Sequence, residues 1–110
     1  MNMRIVVGAC ALGLGMGTAQ AQGVDTAGAE ALMRKSGCFK CHSISAKKDG
    51  PSYKSVAEKL KGKPDAEAKL FTHLTTHPTV KVDGKDEKHE SLKTTDEAQI
   101  RNVIRFILSR

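Results

Sequence analysis

Cys38-Phe39-Lys40-Cys41-His42 limits what this chain can fold into more than any other stretch. The C-x-x-C-H spacing sets two thiols where each can add to one vinyl group of a haem. It also sets the adjacent imidazole beneath the iron as a proximal ligand. Two other chemistries share part of the pattern. A zinc tetrahedron built on Cys-x-x-Cys needs a second Cys pair, and the sequence has none. A thioredoxin-like dithiol needs a βαβ setting, and no such pattern surrounds the motif. The motif therefore points to one haem c, joined through Cys38 and Cys41, with His42 on its iron.

The N-terminal residues point to the compartment in which such an attachment is made. Met1-Asn2-Met3-Arg4 is a short basic start, Ile5 to Met16 is largely apolar, and Ala19-Gln20-Ala21 has the small-x-small pattern that signal peptidase reads. The apolar run is too short and too rich in Gly for a stable transmembrane helix, so no stable membrane insertion is expected once the signal is removed. Residues 1–21 are read as a signal peptide and 22–110 as one monohaem domain in the periplasm. Cys10 leaves with the signal. The two remaining cysteines are both committed to haem, so no structural disulfide is left to form.

The 89 residues from 22 to 110 are near the size at which an apolar core alone gives marginal stability. Large apolar side chains are sparse and Trp is absent. A buried porphyrin would supply the missing core, and a poorly folded apoprotein is expected. The whole chain carries a formal +6. Arg4 is the one charged residue of the leader, so 17 basic and 12 acidic residues remain, a balance of +5. Such a surface suits acidic partner proteins; export and the haem motif argue against nucleic acid.

The rest reads as helices joined by loops, with no strand alternation of useful length. Asp25 caps a first helix from Thr26 to Lys35, which Gly37 ends. After the Gly50-Pro51 turn, Ser52 caps a short helix running through Lys61. Pro64-Asp65 opens a third helix that runs to Thr76, with Ala66, Leu70 and Leu74 on one stripe, and Pro78 stops it. Residues 77–93 are polar and form the longest loop. Thr94-Thr95-Asp96-Glu97 reads as a capping box for a last helix whose Ile100, Val103, Ile104 and Ile107 make the clearest amphipathic face.

These features together resemble the small bacterial class I cytochromes c over Ala27 to Arg110. The resemblance lies in the helix running into Gly37 and the haem motif, in Gly50-Pro51 followed by Tyr53, and in the terminal helix with Phe106. It implies an all-α fold of about four helices wrapped around one covalently attached haem. It also implies that the Pro51 carbonyl accepts a hydrogen bond from the His42 ring, and that Phe106 packs where the first and last helices cross. Cytochromes c′ carry the motif near their C-terminus, which this chain does not.

The chain departs from that family at the sixth iron position. The family supplies a distal Met from the loop before the last helix, and here no Met follows His42; all four precede the haem motif. Met33, five residues before Cys38, reads as a core side chain. His89, 47 residues after His42 in the loop where relatives place their Met, is the expected distal ligand. Read alone, it would be a solvated His within a charged run. His77 is the runner-up, and His73 stands behind it as its i, i+4 companion. A lysine from Lys81, Lys85 or Lys88, or an open site, are the remaining outcomes. The expected haem is six-coordinate and bis-histidine, with Glu87 or Glu90 on the outer nitrogen of His89.

The resemblance implies a one-electron carrier rather than an enzyme. It would shuttle electrons from a dehydrogenase or quinol oxidiser to a reductase or oxidase, as a monomer or weak dimer, or as the haem subunit of a larger oxidoreductase. Lys40, Lys47 and Lys48 are candidates for guiding docking. The missing distal Met keeps a rival reading open: a ligand-binding haem protein, or small haem enzyme, with a displaceable sixth ligand.

Overall fold

The helix that delivers the haem motif starts and stops where its local chemistry requires. In a computed structural model describing residues 23–110, α1 spans Thr26–Lys35. The proposed leader and Cys10 lie outside the described residues. The side chain of Asp25 accepts the Gly28 N–H at 3.0 Å, satisfying one of the free donors at the helix start. Arg34 and Lys35 occupy the last turn, where cations face the negative end of the helix dipole. Gly37 then turns the chain at φ 77°, a left-handed conformation that glycine takes without a Cβ clash.

A single 3₁₀ turn, Cys38–Lys40, follows at once. Three further helices come after it: α2 (Tyr53–Leu60), α3 (Ala66–Thr75) and α4 (Glu97–Leu108). Ser52 caps α2 by accepting the Ser55 N–H at 3.1 Å, as its position before the helix implied. The last helix carries the core: Ile100, Val103, Ile104, Phe106 and Ile107 are all buried along it. It packs against α1, α2 and α3. Its buried face forms one cluster with Ala29 and Met33 of α1, Tyr53 of α2, Leu70 and Leu74 of α3, and Leu92. Phe106 and Met33 are fully enclosed, and the Arg110 guanidinium lies 4.2 Å from the centre of the Phe106 ring. Met33 is thus a packing residue.

A polar clamp fixes how α1 meets α4. Asn102 accepts the Asp25 N–H at 2.9 Å and donates to the Asp25 carbonyl at 2.8 Å. Buried Ser36 at the end of α1 accepts the Lys93 N–H at 2.9 Å, tying the segment before α4 to the same helix.

Two features differ from the sequence expectation. Residues 77–93 are not one loop: Thr79–Val82 (β1) and Lys85–Lys88 (β2) form an antiparallel hairpin, with Thr79 opposite Lys88 and Val82 opposite Lys85. Asp83 and Gly84 make its turn, with φ values of 49° and 77°. Paired left-handed residues are what a two-residue hairpin requires, and Asp-Gly is its sequence signal. Second, the start of α4 is not a capping box. Asp96 is the cap, and its carboxylate accepts the N–H groups of Ala98 and Gln99 at 2.9 and 3.3 Å. Glu97 instead pairs with Arg101 one turn on, and Thr94 accepts the Asp96 N–H.

Candidate haem site

The proximal side is built by backbone hydrogen bonds within the loop after α1. The His42 N–H reaches the Cys38 carbonyl at 3.0 Å, closing a turn that carries both cysteines and the imidazole. The Gly50 N–H donates to the Cys41 carbonyl at 2.7 Å, drawing the Gly50-Pro51 turn over that segment. Lys48 donates through Nζ to the Phe39 carbonyl at 2.8 Å, bracing the same loop from outside.

His42 is fixed by what surrounds its ring. Its Nδ1 stands 2.7 Å from the Pro51 carbonyl oxygen. A carbonyl has no proton to give, so Nδ1 donates and Nε2 is left with the lone pair that a metal binds. Tyr53 stacks on the ring with centroids 5.0 Å apart, and Phe39 meets Tyr53 edge-on at 6.1 Å. On the other flank the Gly50 backbone presses so close that a Cβ there would sit 2.5 Å from Cε1 of His42.

Cys38 is half-buried and Cys41 exposed, and both are free. Burial pushes the Cys38 thiol up from its ordinary range, against a smaller opposing effect from the neighbouring Tyr53 hydroxyl. The Tyr53 phenol is raised as well, chiefly by burial.

Across from His42 stands His89, which leaves the end of β2. Its N–H donates to the Pro78 carbonyl at 2.8 Å, and three residues later Leu92 donates to the Leu74 carbonyl at 2.9 Å. These bonds hold the segment after the hairpin against the end of α3. The His89 and His42 ring centroids are 6.1 Å apart with the planes tilted by 54°. Two imidazoles on opposite sides of one metal ion, with bonds of about 2 Å, place their ring centres about 6 Å apart. The residues present therefore fit a haem iron held between them, with two thiols alongside at the attachment spacing.

The other candidates lie elsewhere. His77 is exposed in the turn between α3 and the hairpin, at φ 47°, with its N–H given to the Ser91 hydroxyl. It lies beyond the end of α3, so it and His73 do not form a helical pair. Lys81 pairs with Asp86 at 2.6 Å, Lys88 donates to the Thr79 hydroxyl, and Lys81, Lys85 and Lys88 are all exposed on the hairpin. Glu87 and Glu90 are exposed too.

His73, the least favoured imidazole in the sequence, is the one the fold sets against His89: their ring centroids are 4.2 Å apart. Burial pushes both rings below the ordinary imidazole range, and nearby imidazoles add to the effect. Nδ1 of His89 is buried without a hydrogen-bond partner among the described residues. Two open surface grooves lie away from these groups, one between α2 and the end of α4 and the other between α1 and α4. Neither is lined by Cys38, His42 or His89.

The cytochrome c family profile matches residues 26–110, the whole helical scaffold just described. This chain belongs to the cytochrome c family. The class 1 cytochrome MtoD of Sideroxydans lithotrophicus ES-1 is 46% identical, with a TM-score of 0.76 over 79% of this chain and 97% of that one. Cytochrome c-551 of Pseudomonas aeruginosa is 46% identical over 61 residues, which are 56% of this chain and 59% of that protein. Cytochrome c-552 of Hydrogenobacter thermophilus is 49% identical over 37 residues, 34% of this chain and 38% of that protein. The matched stretches thus span between 38% and 59% of these two curated relatives. Nitrosomonas europaea cytochrome c552, 22% identical with a TM-score of 0.57, shares the fold. Four helices with the α1–α4 crossing are therefore the small all-α class I cytochrome scaffold, here carrying a hairpin before α4.

Proposed function

We propose that this cytochrome is a periplasmic one-electron carrier whose haem c is bound through Cys38 and Cys41 and ligated by His42 and His89. The observation that carries the reading is the 6.1 Å separation of those two rings, on a chain with no Met after residue 42. Bound haem supplies one-electron ferric–ferrous chemistry. The Pro51 carbonyl orients His42 and raises the basicity of its Nε2, as partners of metal-bound imidazoles do. His89 would stand where the family resemblance implies a thioether; as a harder donor it would stabilise the ferric state and lower the reduction potential. Neither ligand is gained or lost between the two states, so little rearranges when an electron moves.

The leader at residues 1–21 would deliver the chain to the periplasm and be removed there, leaving Gln22 as the first residue. Donor and acceptor would be proteins with acidic docking faces, met in weak encounters that leave the carrier a monomer or weak dimer. Lys40 and Lys47 are exposed beside the haem motif and free to steer such encounters. Lys48 is committed to the Phe39 carbonyl and braces the loop instead.

Electron paramagnetic resonance and near-infrared spectra of the purified protein test the ligation. A low-spin ferric signal with bis-imidazole character is expected, and His89→Ala should convert it to high spin with rapid carbon monoxide binding when reduced. A thioether charge-transfer band or a high-spin wild type would overturn bis-histidine ligation. A low-spin signal unchanged in His89→Ala would remove His89 from the iron.

A further inference from the structure

His89 meets a second imidazole as well as the first. His73, on the last full turn of α3, stands with its ring centroid 4.2 Å from that of His89 and is tilted by 53°. The contact is set by the backbone: the Leu92-to-Leu74 hydrogen bond draws the chain after His89 onto the helix position next to His73. No ring contact joins His73 to His42 among the described residues, although the two imidazoles are near enough to influence each other's charge.

Nδ1 of His89 is buried and lacks a hydrogen-bond partner among the described residues. If Nε2 binds a metal, Nδ1 carries the proton, and an enclosed N–H with no acceptor is costly to leave unmet. Metal-bound histidines almost always give that proton to an acceptor, which fixes the ring and makes it a stronger donor to the metal. The carboxylates of Glu87 and Glu90 belong to exposed side chains, and the Glu90 backbone, though it lies near the His89 ring, makes no hydrogen bond of good geometry with Nδ1. His73 is the polar side chain in ring contact. In the structure His73 packs on the His89 ring without a hydrogen bond to Nδ1; a neutral imidazole has one lone-pair nitrogen, and a turn of the His73 ring about its Cβ–Cγ bond would bring that nitrogen toward its neighbour.

We propose that His73 is the positioning residue of the distal ligand: its ring packs against His89 and accepts the Nδ1 hydrogen bond, setting the orientation of the His89 ring and lowering the reduction potential. This rests on the His42–His89 ligation proposed above. His73 itself does not touch the iron.

Two holoprotein variants test it, read by potentiometry and by electron paramagnetic resonance of the ferric state. His73→Phe keeps a ring in the contact but removes both nitrogens. It should stay low-spin and bis-imidazole, with a more positive potential and a changed spread of g values, because the g spread follows the orientation of the distal ring. His73→Gln, which restores an acceptor, should move the potential back toward that of the wild type. If His73→Phe leaves potential and g values unchanged, or makes the potential more negative, the proposal fails. It also fails if His73→Gln behaves like His73→Phe, since lost polarity alone would then explain the shift. Loss of the low-spin signal in His73→Phe would make His73 a ligand and overturn it as well. Should His73→Phe fold poorly, the comparison of His73→Gln with His73→Leu carries the same test. A wild type without bis-imidazole character would refute the ligation reading and this inference with it, whereas a bis-imidazole wild type whose potential and g values do not move in His73→Phe would refute this inference alone, so the two failures are separable.

Discussion

Gly50 has no side chain, and the His42 ring occupies the space where one would stand. A Cβ there would meet Cε1 at 2.5 Å and Nδ1 at 2.8 Å, and the ring cannot retreat without breaking its 2.7 Å bond to the Pro51 carbonyl. Gly50→Ala should therefore cost about 1–3 kcal/mol, the usual penalty of overpacking, and lower the yield of haem-loaded protein. Urea unfolding and the haem-to-protein absorbance ratio would measure both effects. The proximal residues were legible in the sequence because their chemistry depends on spacing: two thiols and an imidazole within five residues, with a Gly-Pro turn soon after. That His89 would come to stand opposite His42 was legible from its place in the loop before the last helix. His73 was not legible, because its contact comes from the docking of one segment on another, 16 residues apart. The one hint was its position beside Leu74, just off the buried stripe of α3, where a side chain is half-covered.

Among the elements, α4 depends most on its first residue. Asp96 satisfies two of the free N–H groups at the start of a helix that packs against all three others. Asp96→Ala should lower stability by about 1 kcal/mol, read as a shift in the urea midpoint with little change in slope. If Thr94 were the cap, Thr94→Ala would show that loss instead. Helix boundaries followed the sequence closely, since capping residues, Gly and Pro act over a few residues. The hairpin escaped notice because its second strand, Lys85–Lys88, is exposed throughout and has no apolar alternation to reveal a period of two. It is specified by its Asp-Gly turn and by β-branched Val80 and Val82, not by the core.

At the scale of the molecule, the buried cluster is small and centred on one helix. The haem-free protein should give a far-ultraviolet circular dichroism spectrum with much less helix than the haem-loaded form, and no cooperative thermal transition. A well-folded apoprotein would show that the cluster of Met33, Phe106 and their neighbours suffices alone. The basic surface belongs to the same scale. Association with an acidic redox partner should slow steadily as ionic strength rises, and Lys40→Glu should slow it further at low salt; stopped-flow electron transfer would read both. The clamp between Asp25 and Asn102 bridges 77 positions of chain and joins the first helix to the last. During synthesis, α1 consequently has no other helix to dock on until α4 is made. Exported as proposed, such a chain would cross its membrane open, and the cysteines would stay within reach of the machinery that ligates porphyrin until α4 arrives to shut the fold.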